Sequence, residues 1–463
     1  MLNETNLHNY QNRSTEHILN NPSCGLFLDM GLGKTISSLT AIDKLMFDRF
    51  EIKKVLVIAP KRVARDTWTD EVKSWSHVGH LKLSVCVGSS QQRKAALQAK
   101  ADVYTINREN VVWLTALYGS KCPFDMIIID ESSSFKSPSA QRFKALKRWT
   151  GQCKRVVLLT GTPAPNGYED LWAQVYLLDG GERLGKFVTN FRDRFFTIDP
   201  STAYSTYPKR VLKEGAKEQI HGLISDICIS MKAEDYLELP KVISRDIKVH
   251  LTDKEMQDYK DFEKSLVLEL PEGEITAMNA GVLRNKLIQY TSGAVYGANR
   301  EAFTVSDAKI EAVEEILDVY EEPVIIFYWY KHTYERLFEK FKKYKPRRLD
   351  TYQDQLDWNA GKIRVLLAQP AGMGHGVNIQ KGGHFEIWFG YPESLEAYQQ
   401  ACKRLDRQGQ QHAVIRNSLI AVGTIEEVLM QNLLDKADEQ DGLMLATKYL
   451  EGLKNEYKKP NSI

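Results

Sequence analysis

The sequence predicts an α/β fold: two doubly wound parallel-sheet units with a helical elaboration between them. Three observations predict it. Short apolar, β-branched runs recur along the chain, each closed by a polar or glycine-containing turn. Helical patterns separate the runs, the alternation expected of parallel strands joined by crossover helices. The runs fall into two series, and the sequence between the series has a different character.

The first series is CGLFL (24–28), KVLVIAP (54–60), DVYTI (102–106), DMIIID (125–130) and RVVLLT (155–160). The second is PVIIFY (323–328), IRVLLAQ (363–369), FEIWFG (385–390) and VIRNSLIA (414–421). Consecutive apolar residues suit strands buried on both faces. After the first run, TISSLTAIDKLMF sets Ile36, Leu39, Ile42, Leu45 and Met46 at helical spacing. Residues 181–300 read mostly as helix, as in EMQDYKDFEKSLVLEL and GVLRNKLIQYTS, interrupted by the Tyr-rich TIDPSTAYSTYPKR. The expected organisation is a first α/β unit over 1–180 and a helical insertion and hinge over 181–245. A second α/β unit follows over 246–440, then a C-terminal helix and tail over 441–463.

The chain has 463 residues, 43% hydrophobic and 26% charged, ordinary material for full-sized cores. Its 62 basic and 60 acidic side chains leave a net charge of +2. That excludes a polycation, so any nucleic-acid surface must come from local clustering. Six cysteines are scattered without a Cys-x-x-Cys pair, against a zinc ribbon or a disulfide framework. The ten histidines show no ligand spacing, so no structural metal is expected. The polar start MLNETNLHNYQNRSTEH lacks the apolar core of a signal peptide, and no apolar run could span a membrane. A cytoplasmic protein is expected.

Between the first apolar run and its helix lies Met30-Gly31-Leu32-Gly33-Lys34-Thr35. Gly31 and Gly33 let backbone N–H groups turn inward around phosphate oxygens, and Lys34 adds a point charge. The Thr35 hydroxyl at the helix start can ligate Mg²⁺. The loop departs from the usual pattern at its first position, where Leu28 stands in place of glycine. The run MIIID supplies the carboxylates such a site needs. Asp130 can hold Mg²⁺, and Glu131 can orient and deprotonate a water attacking the γ-phosphate of ATP. In QQACKRLDRQGQQ (399–411), Arg404 and Arg407 are three residues apart, one helical turn, so both can point one way and neutralise a transferring phosphoryl group.

Several blocks, taken in order, resemble the motifs of superfamily 2 helicases. They are LHNYQ (7–11), DMGLGKT, APKRVARDTWTDEVKSW (59–75), DESSSFK (130–136), LTGTPAPNGYEDLW (159–172), AGMGHGVNIQ (371–380) and QQACKRLDRQGQ. The resemblance runs from about Leu7 to Leu434 and is nearest to the Swi/Snf-like DNA-dependent ATPases of compact, appendage-free bacterial or bacteriophage type. It implies two RecA-like lobes and an ATP-dependent DNA motor, with ATP and Mg²⁺ as cofactors. By this resemblance Gln11 reads adenine, and Gly374, Gly376 and Gln400 join Arg404 and Arg407 in the second-lobe half of the ATP site. Thr160, Gly161 and Thr162 match the block that couples hydrolysis to lobe movement. Pro60, Lys61 and Thr105 match positions along the DNA backbone groove, and Lys136 matches a family lysine. Ser132 and Ser133 replace the usual Ala-His after Asp-Glu, which points to a differently tuned coupling.

Double-stranded DNA is the favoured partner, with single-stranded DNA also open. The expected setting is replication, recombination or repair in a bacterial cytoplasm, with a monomeric enzyme and with replication or nuclease proteins as candidate partners. Translocase, unwinding helicase and ATP-gated clamp or scaffold are the competing readings; the Tyr-rich loop 197–208 is the candidate strand-splitting pin. KFKKYKPRR (340–348) reads equally as a backbone-tracking patch or a solvated helix end. Trp68, Trp75 and the Tyr328-Trp329-Tyr330 run read as core.

Overall fold

The computed structural model describes residues 2–435 except 162, 165–166, 200–209, 238–240, 269–276, 298, 374–376, 391–394 and 408. The chain divides into two units, Met1–Glu238 and Leu239–Ile463.

In the first unit, β1 (Ser23–Leu28), β2 (Val55–Ala59), β3 (Leu83–Cys86), β4 (Val103–Asn107), β5 (Met126–Asp130) and β6 (Arg155–Thr160) are parallel strands. β7 (Phe196–Ile198) and β8 (Arg210–Leu212) form a separate antiparallel hairpin, and β9 (Cys228–Met231) rejoins the main sheet. The seven-stranded order is β3-β4-β2-β5-β6-β1-β9. α1 (Asn9–Asn20) precedes the sheet, and α2 (Lys34–Asp43), α3 (Trp68–Ser74), α4 (Ser90–Gln98), α5 (Val111–Tyr118) and α6 (Gln141–Thr150) lie on the connections. α7 (Leu171–Asp179), α8 (Val188–Phe195) and α9 (Ala216–Ile224) follow β6. Every residue of β2, β4 and β5 is buried, because helices cover both faces of a parallel sheet.

The second unit holds β10 (Val242–Val249), a small hairpin of β11 (Ala294–Tyr296) and β12 (Ala302–Thr304), then β13 (Val324–Phe327), β14 (Arg347–Arg348), β15 (Val365–Ala368), β16 (Phe385–Trp388) and β17 (Val414–Ala421). Its six-stranded parallel sheet has the order β10-β17-β16-β13-β15-β14. Its helices are α10 (Asp253–Leu268), α11 (Ala277–Thr291), α12 (Ala308–Val319), α13 (Lys331–Lys340), α14 (Tyr352–Asn359), α15 (Leu395–Cys402) and α16 (Ile425–Asp435). No helix among the described residues is long and apolar enough to cross a membrane.

All nine apolar runs become interior strands. The four edge strands, β3, β9, β10 and β14, carry no such run. The stretch proposed as an insertion, 181–245, is accordingly divided: β9 completes the first sheet beside β1, and β10 opens the second. Its polar, half-exposed strands hide this from a reading based on apolar runs.

The weaker signals take definite forms. Five of the six basic side chains in 340–348 are ion-paired: Lys340 with Glu314, Lys342 with Glu339, Lys343 with Asp318, Arg347 with Asp354 and Asp357, and Arg348 with Asp350. Tyr328, Trp329, Tyr330, Trp68 and Trp75 are buried. The six cysteines are free thiols. Cys122 and Cys153, distant in sequence, bring their sulfurs within 3.5 Å. Burial pushes the Cys24 and Cys86 thiols up to about 12, which makes both poor nucleophiles at neutral pH.

Candidate active site

β1, β6 and β5 are neighbours in that order, and their register sets Phe27 opposite Thr160 and Leu159 opposite Asp130. Three loops therefore leave the same carboxyl edge of the sheet, the place where parallel α/β sheets bind ligands. They carry residues 29–33, 131–134 and 161 onward. β1 and β5 are two strand spacings apart, roughly 10 Å.

The loop after β1 turns through Gly31 (φ 89°) and Gly33 (φ 66°) into α2, which begins at Lys34. Gly33 is required twice over: its φ is left-handed, and an added Cβ would lie 2.1 Å from Nε2 of Gln11. The same contact shows that the Gln11 amide rests on the loop. Its oxygen accepts from the His8 N–H (2.8 Å) and its helix is tied to α2 by the Thr15 hydroxyl donating to the Ser37 carbonyl (3.2 Å). Lys34 Nζ donates to the Leu28 and Asp29 carbonyls at 2.6 and 3.2 Å, which holds the cation over the loop. Gly161 closes in from β6; a Cβ there would meet the Leu28 carbonyl oxygen at 3.4 Å. The side chain of Leu32 is wholly buried, so this residue can offer a nucleotide only its backbone.

On β5, Asp130 is the last strand residue and Glu131 the first beyond it, both buried. Trp68, itself wholly buried, donates its indole N–H to Oδ2 of Asp130 at 3.2 Å. Glu131 takes a left-handed backbone (φ 56°, ψ 60°), which costs a residue bearing a side chain about 1–2 kcal/mol. Sequence reasoning saw Trp68 only as core; its polar end on Asp130 has no periodic signal. It also missed Asp29, whose carboxylate accepts the Ala233 N–H (3.0 Å) and whose N–H donates to the Met231 carbonyl (3.0 Å). Those bonds tie the loop after β1 to the exit of β9, an unseen strand.

A family model, the SNF2-related domain, matches residues 7–293. The chain belongs to the SNF2-related family. Protein p41 of Acyrthosiphon pisum secondary endosymbiont phage 1 is 38% identical over 455 residues, covering 95% of this chain and 98% of its own. A Mycoplasma pneumoniae protein named as an uncharacterized ATP-dependent helicase is 24% identical over 98% of this chain, which spans 44% of that relative. A Sulfolobus solfataricus SWI2/SNF2 ATPase core, solved in complex with dsDNA, aligns over 97% of this chain and 95% of its own at TM-score 0.45 and 22% identity. As an SNF2-family member the protein is a DNA-associated enzyme that hydrolyses ATP.

Other positions that the SNF2 resemblance marked lie on several elements of each unit. Pro60 and Lys61 follow β2, half-buried and exposed. Thr105 is wholly buried on β4, and its hydroxyl donates to the Ala64 carbonyl (2.5 Å), a tie to the segment after β2. Lys136 pairs with Asp170 at 3.6 Å. In the second unit α15 ends at Cys402, two residues past Gln400, so Arg404 and Arg407 are not on one helical turn as the spacing suggested. They stand in tight turns instead, Arg404 buried and Arg407 donating to Oδ1 of Asn378 (2.5 Å). Thr162, Gly374 and Gly376 lie outside the described residues.

The donor set fits Mg²⁺. Thr35 in the first turn of α2 and Asp130 at the end of β5 offer hard oxygen ligands in small number, as suits an ion that keeps most of its waters and shares phosphate oxygens. Among the described residues no group of three or more His, Cys, Asp or Glu side chains gathers as a metal cluster.

Proposed function

We propose that this enzyme is a DNA-stimulated motor that steps along double-stranded DNA, in which Arg404 and Arg407 of the second unit complete the ATP site of the first. The observation that carries the reading is the convergence of Lys34, Asp130-Glu131 and Thr160-Gly161 at one sheet edge. Lys34 and the loop N–H groups bind the triphosphate, and Gln11 contacts adenine. Thr35 and Asp130 would hold Mg²⁺, which would supply charge neutralisation to the triphosphate. Glu131 orients the attacking water and accepts its proton. Arg404 and Arg407, with Gln400, Gly374 and Gly376, meet the charge that develops on the phosphoryl group, while Thr160, Gly161 and Thr162 couple the step to movement. Pro60 and Lys61 touch the DNA backbone. The enzyme works as a monomer in replication, recombination or repair, alongside replication or nuclease proteins.

The test is ATP turnover with single- and double-stranded DNA and with RNA, alongside strand separation and triplex displacement. Turnover should be weak alone and rise with double-stranded DNA, the stimulation falling steeply with salt as phosphate contacts release counterions. Triplex displacement without strand separation marks a translocase. A rate indifferent to every nucleic acid would replace this reading with an ATP-gated clamp.

A further inference from the structure

We infer that Gln174 is a positioning residue for ATP hydrolysis, latching the residue after Glu131 to the backbone beyond β6; this rests on the reading of Glu131 as the water-activating group. A side-chain-bearing residue stays in the left-handed region only where its surroundings hold it there. Immediately after Glu131, Ser132 is wholly buried and its hydroxyl donates to Oε1 of Gln174 at 2.7 Å. Gln174, on α7, is also wholly buried. Its Nε2 donates to the Pro163 carbonyl at 2.5 Å and to the Asp170 carbonyl at 3.0 Å.

These partners fix every proton. Two carbonyl oxygens can face only the NH₂ end of the amide, so the amide oxygen must face Ser132 and the hydroxyl must be the donor. No water reaches either side chain to replace a lost partner, so deleting one end leaves a buried polar group unsatisfied. One amide thereby joins the exit of β5, the backbone beyond β6 and the start of α7. The ion pair from Lys136 to Asp170 ties the first and last of these a second time. The exit of β6 is itself pressed against the phosphate loop, through Gly161 at the Leu28 carbonyl. A shift of that loop is passed through Pro163 and Gln174 to Ser132, and so to the carboxylate one residue away. Serine at 132 supplies the hydroxyl that the amide oxygen requires.

The experiment uses the full chain with Ser132→Ala, Gln174→Met, the double variant, and Glu131→Gln as control. ATP kcat and KM are measured with and without linear double-stranded DNA, together with melting temperature. Ser132→Ala and Gln174→Met should each lower kcat on the order of ten-fold, the kinetic equivalent of one buried hydrogen bond, with KM for ATP within about two-fold. The double should lose no more than Gln174→Met alone, since the two act in series. Losses that multiply, or a lowered melting temperature with kcat intact, would overturn the latch and leave the cluster as packing. Should Gln174→Met fail to fold, Ser132→Ala decides by its split between kcat and KM. Hydrolysis surviving in Glu131→Gln would overturn the site reading, and the latch with it; a dead Glu131→Gln with multiplying losses overturns the latch alone.

Discussion

The carboxyl edges of the two sheets are put to different uses. In the first unit, loops leaving β1, β5 and β6 set backbone N–H groups, a lysine and two carboxylates around one place. In the second, a buried ion pair stands just past the ends of β16 and β17. Lys309 Nζ lies 2.6 Å from Glu426, and the same carboxylate accepts from the Thr291 hydroxyl (2.9 Å) and the Ala421 N–H (2.9 Å). Gly390, just beyond β16, makes room for it; a Cβ there would stand 3.4 Å from both charged groups. Burial pushes the Lys309 ammonium below the usual lysine range, and Glu426 opposes the shift. Topology thus nominates an edge as a site, and the loops decide which strand ends are left to candidate ligand groups and which are taken by the protein's own paired charges.

The sharpest way to break this contrast is to remove groups from the first edge. Lys34→Ala should abolish ATP turnover, and Glu131→Gln should keep nucleotide binding while hydrolysis falls on the order of 10³-fold, with melting temperatures near wild type. Near-normal hydrolysis in Glu131→Gln would remove the distinction between the edges. Arg404→Ala and Arg407→Ala test whether the second unit has a share in the chemistry. Each should reduce kcat on the order of 10³-fold with nucleotide affinity little changed, read by steady-state kinetics and equilibrium binding. Retained hydrolysis in both would confine the active site to the first unit.

At the second edge the expected loss is of stability. Glu426→Gln leaves a buried ammonium without its counter-charge and should cost about 3–5 kcal/mol by denaturant unfolding, whereas replacing both partners with apolar residues should cost far less. A pH titration extends the comparison. His332, packed against Tyr296 and Tyr330 with Arg336 nearby, has its imidazole held down to about 4 by burial and that cation. A base whose folded value is depressed favours the unfolded chain when protonated. Stability should therefore be full above about pH 6.5 and fall by about 2–3 kcal/mol as pH drops towards 4, a slope absent in His332→Gln. The smallest effect belongs to Trp68→Phe, which keeps the packing and removes the donor to Asp130. The Mg²⁺ concentration for half-maximal nucleotide binding should rise about ten-fold, as for other groups that orient a metal ligand; an unchanged Mg²⁺ dependence would make Trp68 packing alone.

What could be read beforehand follows from burial. A strand covered on both faces must be apolar throughout, so CGLFL, KVLVIAP and their counterparts announce interior strands. β3, β9, β10 and β14 lie at sheet edges, where VISRDIKV can leave Arg245 and Asp246 exposed. The proposed phosphate loop is legible in the sequence because the residues it is read from are local: glycines, lysine and threonine lie within a few positions. The bonds from Trp68 to Asp130, Asp29 to Ala233 and Ser132 to Gln174 join residues 62, 204 and 42 positions apart, and only folding creates them. The turn that carries Arg404 keeps the spacing of a helix after the backbone has left it at Cys402, so spacing alone suggests a helix there.

β9 has a consequence for how the chain is made. It pairs with β1 across roughly 200 residues, Gly25 lying opposite Cys228. At a synthesis rate of about 5–20 residues per second, β1 waits about 10–40 s on the ribosome before its outer neighbour exists. During that interval an apolar strand bearing the phosphate loop presents unpaired N–H and C=O groups, the setting in which edges recruit the wrong partner. Translation speed between residues 30 and 231, or a chaperone that shields this edge, should then govern the yield of folded enzyme.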